Sequence, residues 1–259
     1  GIQLINRQSR HLELTPAGFL VYEGAQDLLA RASELLQEVN RYSKKCEEQI
    51  ILGASTLVAD FPLPCALYAF KEQFSQYCVK VERDTCKTII NKLAKNELEL
   101  ALIEGAVPYP GLDNFPYGPD ELVVEVPANH PLAGEKKYVT ADGLRKAVIL
   151  TREEDSGIRQ ATNYYLKQIG LQINDLPKTL ELHSITAIKS SLEAGKGVSI
   201  LPRSVLRREI RTKIVKALPL EGLKMKLYYY LLTRPDTKIT PGVKLLRDFL
   251  ASPEQRVFC

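Results

Sequence analysis

The chain has 259 residues, 45% of them hydrophobic and 25% charged, with 15 glycines and 15 prolines. That composition excludes a collagenous, low-complexity or wholly disordered protein, and the length admits one large or two moderate domains, each with its own core. A formal charge of +4, from 35 Lys and Arg against 31 Asp and Glu, is too slight to indicate a nucleic-acid partner by charge alone.

The first fourteen residues are short, polar and basic. Arg7, Arg10 and His11 stand among Asn6, Gln8 and Ser9, and the alternation Leu12-Glu13-Leu14 follows, which is the pattern of a small β-hairpin or wing. Thr15-Pro16 then supplies a hydroxyl N-cap and a proline at the first helical position, where its missing N–H has no intrahelical partner to lose. From there no proline occurs until Pro62. Val21, Ala25, Leu28, Ala32, Leu35, Val39, Tyr42 and Cys46 recur at alternating steps of four and three, which predicts a helix with a heptad seam. Such a narrow apolar stripe on an otherwise polar helix calls for a partner, and Val21, Ala25, Leu28, Ala32, Leu35 and Val39 are the expected dimerisation residues.

Beyond Glu48 the pattern changes to short β runs alternating with helices. Strands are expected at residues 49–53, 79–82, 98–103 and 122–126, with helices at 62–77 and 85–95. The set then repeats, with strands at 147–150, 179–182 and 198–201 and helices at 157–169 and 184–194. This alternation predicts βαβ units on a parallel sheet. The proline- and glycine-broken stretch from Pro127 to Gly134 is the expected crossover between the two sets. Residues 223–233 read as a late strand of unreadable pairing, and 241–250 as a closing helix.

In open α/β sheets ligands bind beyond the carboxyl ends of strands, where helix N-termini present free N–H groups. Hydroxyl-bearing residues recur at that topological position: Ser55 and Thr56, Thr85, Ser156, and His183 with Ser184. Arg159 lies one turn inside the helix opening at Ser156, in reach of an anion, and Glu104 ends the strand that carries Ile103. Each hydroxyl taken singly also reads as a helix N-cap.

Catalytic constellations are thin. His11, His130 and His183 are scattered, and neither H-E-x-x-H nor G-x-S-x-G occurs. Gly195-Lys196-Gly197 reads as a turn rather than a phosphate loop. Cys46, Cys65, Cys78, Cys86 and Cys259 show no C-x-x-C spacing, so neither a disulfide framework nor a zinc site is expected. No cofactor, no metal and no enzymatic activity are expected. No apolar run reaches the ~20 residues of a bilayer span, and the opening GIQLINRQSR lacks the pattern of a signal peptide, so a cytoplasmic protein with no membrane partner is expected.

The opening resembles the wing and helix start of LysR-type transcriptional regulators, with Gly1, Leu4, Arg7, Leu14, Thr15, Ala17 and Gly18 in register. The likeness continues in order through L-G-A-S at 52–55, E-L-E-L-A-L-I at 97–103, H-P-L at 130–132, S-G-I-R at 156–159 and A-G-K-G-V-S-I-L-P at 194–202. Ile5, Asn96 and Glu99 depart from it, standing where Phe, Gly and Asp are common. The resemblance implies an α/β fold: a two-lobed effector domain like a periplasmic binding protein, preceded by a β-wing remnant and a long dimerisation helix. It divides the chain into a wing remnant at 1–14, a linker helix at 15–48, lobe I at 49–126 with 224–259, and lobe II at 127–223. It implies a homodimer or homotetramer that senses a small-molecule effector between the lobes, through Ser55, Thr56, Thr85, Ile103, Glu104, His183 and Ser184, with Ser156 and Arg159 facing them. DNA is the implied partner of the full-length protein. In this chain, which lacks the recognition helix, Arg7 and Arg10 would touch only the DNA backbone, which positions a protein without reading sequence. A solute-binding protein or a small two-lobed α/β enzyme is the alternative that the βα pattern alone admits.

Overall fold

The computed structural model describes residues 2–6, 13–42, 48–134, 137–235 and 237–252. Residue contacts group the chain into two units, Gly1–Glu48 with Lys71–Cys78, and Gln49–Phe70 with Val79–Cys259.

In the first unit, β1 (Ile5–Asn6) pairs antiparallel with β2 (Glu13–Leu14), the expected hairpin. Arg7, Arg10 and His11 lie outside the described residues. Helix α1 (Pro16–Tyr42) begins where Thr15 accepts a hydrogen bond from the Gly18 N–H at 3.0 Å, as a hydroxyl N-cap should. Thr15 also donates its hydroxyl to the Gln3 carbonyl at 2.8 Å, which ties the hairpin to the helix start. Gly18 is required there, since a Cβ would stand 1.9 Å from the Leu4 carbonyl oxygen. Along the seam Val21, Ala25, Leu28, Ala32 and Leu35 are exposed, Leu28 by 70% and Leu35 by 62%. The side chain of Val39 and the whole of Cys46 are not among those described.

The second unit is built on one sheet of nine strands. Its strands are β3 (Glu48–Ser55), β4 (Tyr77–Asp84), β5 (Leu100–Gly105), β6 (Asp113–Pro127), β7 (Ile149–Thr151), β8 (Thr179–Glu181), β9 (Val198–Pro202), β10 (Val215–Leu218) and β11 (Met225–Thr233). They run in the order β4-β3-β5-β11-β6-β9-β7-β8, with β10 pairing β6. The helices are α2 (Thr56–Asp60), α3 (Leu63–Gln73), α4 (Cys86–Ala94), α5 (Ala141–Lys146), α6 (Gly157–Leu166), α7 (Ile185–Glu193), α8 (Arg207–Arg211) and α9 (Pro241–Ala251). Every residue of β5 and β9 is buried, which is why these strands read as continuous rather than alternating apolar runs.

The sheet is mixed, not parallel. β3 with β5, and β7 with both β8 and β9, are parallel as expected, but β11 and β6 sit antiparallel in the middle. The expected strand at 122–126 is only the second half of β6. Its first half contains Pro116 and Pro119, residues that signal a loop, yet the ladder with β11 accommodates them beside an irregularity at Tyr229/Tyr230. β6 ends at Pro127, where the expected crossover begins: Asp113–Leu122 pair with β11, while Leu122–Glu125 pair with β9 and Val124–Pro127 with β10. This one strand joins a first half of the unit, around β3, β5 and β11, to a second half around β7 and β9.

Local departures from the resembled pattern have local reasons. Asn96 closes α4 with φ +63°, a left-handed conformation that asparagine tolerates better than other side-chain-bearing residues, so it serves where glycine is common. Glu99 accepts the Thr240 N–H at 2.8 Å, just ahead of α9. Gly195 and Gly197, at φ +74° and +66°, form the expected turn between α7 and β9. Cys65 and Cys78 are both disulfide-bonded, against the expectation of no disulfide framework. Spacing did not reveal this because disulfides depend on Cα and Cβ placement in the fold, not on a sequence motif.

Glu125 is fully buried in β6, and among the described residues neither of its carboxylate oxygens has a hydrogen-bond partner. Burial, with Glu209 and Asp120 nearby and only Arg203 opposing, pushes its pKa up to about 8. A carboxyl raised in the folded state costs nothing below its unfolded value, and folding stability is lost as pH rises from there through about 8. Glu125→Gln should therefore raise stability by an amount that grows from pH 5 to pH 9, reaching on the order of a few kcal/mol. Denaturant melts of both proteins across that range check this; a constant difference contradicts it.

Candidate functional site

Strand ends from both halves of the second unit converge on one narrow cleft. It is lined by Ser55, Thr56, Leu57, Thr85, Cys86 and Glu104 from the first half, and by Arg152, Glu153, Ser156 and Gly157 from the second. As it stands it admits no water-sized sphere.

Each side chain is held by the element that carries it. Ser55 ends β3 and caps α2, accepting from the Val58 N–H at 3.2 Å while donating its hydroxyl to Glu104 Oε2. Thr56 donates to the Asp84 carbonyl at 3.4 Å. Thr85 caps α4, accepting from the Thr88 N–H at 3.3 Å. Ser156 precedes α6 as its N-cap but makes no side-chain capping bond, which leaves this buried hydroxyl for the cleft. The reading of these hydroxyls as caps therefore holds for Ser55 and Thr85, which also line the cleft.

Glu104 is the centre of the cleft. It is only 2% exposed. Burial raises its pKa above the ordinary carboxyl value, while the Ser55 hydroxyl and the Arg152 charge pull it back. Its own carbonyl accepts the Tyr109 hydroxyl at 2.6 Å. Cys86 points its thiol at the same carbonyl, at 3.8 Å, and burial with the Glu104 charge beside it pushes that thiol well above its ordinary pKa. A thiol held protonated is a poor nucleophile. Arg152, absent from the sequence expectations, is buried and grips Glu153 through two parallel bonds of 2.8 and 2.6 Å. The guanidinium is thereby fixed and its charge balanced.

Other expected site residues lie elsewhere. Ile103 is buried in the core with Cys86, Ile89 and Leu93. Arg159 turns into its own half, donating to Thr151, to the Arg152 carbonyl at 3.2 Å and to Asn174. It braces the backbone that presents Arg152 and does not line the cleft. His183 is 76% exposed at its side chain, 3.3 Å from Glu181, and Ser184 caps α7. Both follow β8, and neither lines the cleft.

The two halves touch at Gly157. A Cβ there would lie 2.6 Å from Cys86 Sγ and 2.7 Å from Glu104 Oε1, so only glycine lets α6 rest on the end of β5. An exposed ion pair, Lys87 to Asp155 at 2.9 Å, spans the same mouth.

Residues 46–253 match the family model of the LysR substrate binding domain. The chain belongs to the LysR family. It is 28% identical over 236 residues to the "Probable RuBisCO transcriptional regulator" of Cyanidioschyzon merolae, covering 90% of this chain and 78% of that protein. It is 27% identical over 229 residues to the HTH-type transcriptional regulator CysL of Bacillus subtilis, covering 87% and 75%. The regulatory domain of Synechocystis PCC6803 CcmR, in complex with 2-PG, superposes with a TM-score of 0.69 at 22% identity over 79% of this chain and 96% of that one. The effector binding domain of QuiR, in complex with shikimate, gives 0.66 at 23% identity over 78% and 95%. A full-length BenM variant gives 0.65 at 20% identity over 96% of this chain and 81% of that one. The second unit is therefore a LysR effector-binding domain with the periplasmic-binding-protein-like fold, and its relatives are transcriptional regulators rather than enzymes. Among the described residues no helix is long and apolar enough to cross a membrane.

Gly157→Ala should force the halves of this LysR domain apart at the cleft and cost about 1–3 kcal/mol of stability, the ordinary penalty of overpacking. Equilibrium unfolding checks this; an unchanged midpoint contradicts the contact.

Proposed function

We propose that this chain is the sensing and oligomerising part of a LysR-type regulator. A small-molecule effector enters the cleft between lobe I, residues 49–126 with 224–259, and lobe II, residues 127–223, and α1 pairs with α1 of a second copy. The observation that carries the reading is the convergence of Ser55, Thr56, Thr85, Glu104, Arg152 and Ser156, from both halves, on one cleft. CcmR and QuiR, which share the fold, are in complex with 2-PG and with shikimate. The contacts assigned to the effector are Ser55, Thr56, Thr85, Glu104, Arg152 and Ser156, with Arg159 a positioning residue for Arg152. DNA is the partner of the regulator as a whole, with Arg7 and Arg10 contributing backbone contacts. The enzyme alternative finds no support in the side chains: the Cys86 thiol is held protonated and His183 stands apart with Glu181.

An effector that touches both lobes stabilises one inter-lobe angle over others, and the DNA-bound heads read the change through the dimer. The exposed stripe of Val21, Ala25, Leu28, Ala32 and Leu35 is what a parallel or antiparallel helix pair would cover.

Isothermal titration with a panel of small metabolites, including shikimate and benzoate, should find a ligand whose affinity falls at least about tenfold in the Ser55→Ala, Thr85→Val double variant, a loss of two hydrogen bonds. Undiminished affinity overturns the assignment. Leu28→Lys with Leu35→Lys should convert the oligomer to monomers in analytical ultracentrifugation; an unchanged sedimentation coefficient places the interface elsewhere.

A further inference from the structure

We propose that the cleft is the polar throat of a two-chamber site whose larger chamber takes the neutral ring of an effector bearing one hydrogen-bonding head. The inference rests on the effector-site reading above. It starts from a mismatch of sizes. The throat around Ser55 and Glu104 admits no water-sized sphere, whereas the groove next to it, open to solvent along its Val107, Pro108, Pro110 and Tyr164 rim, has room for about 270 Å³. That is roughly twice the ~150 Å³ apolar cavity that takes up benzene.

The second chamber lies between the Gly105–Pro110 segment and α6. Its walls are Ala106, Val107, Pro108, Pro110, Ala161 and the rings of Tyr109 and Tyr164, and no charged side chain lines it. Of its two hydrogen-bonding side chains besides Tyr164, Tyr109 is committed to the Glu104 carbonyl, and Gln160 is exposed at the edge. A charged body here would lose part of its hydration with no opposite charge in return, whereas a neutral ring gains apolar contact against Tyr109 and Ala161. The Tyr109 ring is backed edge-on by Tyr230, with centroids 6.3 Å apart, so this wall is a packed one.

The partition between the chambers is thin. Gly157 lines both of them. Gly105 follows Glu104 directly, and a Cβ on it would meet the Tyr109 hydroxyl at 3.0 Å and the Val107 carbonyl at 3.2 Å. Two positions without side chains therefore separate the hydroxyls of Ser55 and Ser156 from the apolar chamber. A molecule with its ring against Tyr109 and Ala161 can place a head group over Gly157 toward those hydroxyls once the halves part.

The test uses benzyl alcohol, a neutral ring with one hydroxyl, and glycerol, which has hydroxyls and no ring. Saturation-transfer NMR on the full chain gives affinities for both. Benzyl alcohol should bind saturably and glycerol should not. Ala161→Leu, which fills the chamber, should weaken benzyl alcohol by at least about tenfold, and Gln160→Trp, at an exposed position on the same wall, should do the same should the buried substitution fail to fold. Ser156→Ala should weaken it less, through the head alone. Saturable binding indifferent to both Ala161→Leu and Gln160→Trp, or benzyl alcohol binding no better than glycerol, overturns the proposal. If metabolites still lose affinity in the Ser55 and Thr85 double variant, the effector site stands while the ring chamber falls; if neither set of variants matters, both fall.

Discussion

The cleft exists in its present form because residue 157 has no side chain. With glycine there, the first turn of α6 rests on Cys86 and Glu104, closer than any Cβ would allow. That contact shuts the polar throat, buries the Glu104 carboxyl, holds the Cys86 thiol protonated and divides the throat from the apolar chamber beside it. On the proposed reading, a ligand reaching Ser55 and Ser156 competes with this contact, so that binding is coupled to separation of the halves.

The sheet supplies the means for such motion. The halves are joined through β6, whose first part pairs with β11 and whose second part pairs with β9 and β10. A strand shared in this way keeps the halves connected by backbone hydrogen bonds, while the cleft is closed by the Gly157 contact and by the exposed Lys87–Asp155 pair. Exposed ion pairs contribute little, so the Gly157 contact is the main one that opening has to break. Glu125, buried in the second part of β6 with no hydrogen-bond partner for its carboxylate among the described residues, shows that this joint is not optimised for stability.

What the sequence made legible follows from topology more than from any single residue. Ser55, Thr56, Thr85, Glu104 and Ser156 came together because strand-end positions of neighbouring βα units share one edge of the sheet. His183 and Ser184 obey the same sequence rule yet do not line this cleft, because a strand-end position says that a residue can reach the ligand side of the sheet, not which cleft it faces. Arg159 was placed correctly on α6 but its direction was not legible: its guanidinium serves Thr151, Asn174 and the Arg152 carbonyl. Arg152 was missed because the expected strand stopped at Leu150; extending it to Thr151 puts a charged pair, Arg152-Glu153, at a strand end, and that was the available signal. The two central strands were expected, but their antiparallel pairing and the first half of β6 stayed hidden, since Pro116 and Pro119 mark loops in the general case and are tolerated in β6 beside an irregular register.

The account stands or falls on ligand-coupled movement of the two halves. Pulsed electron–electron resonance between spin labels at the exposed positions Tyr68 on α3 and Leu180 on β8 reads the inter-half distance directly. With a bound compound that depends on Ser55 and Thr85, the distance distribution should shift from that of the free protein. A distribution identical with and without that compound at saturation would contradict the account.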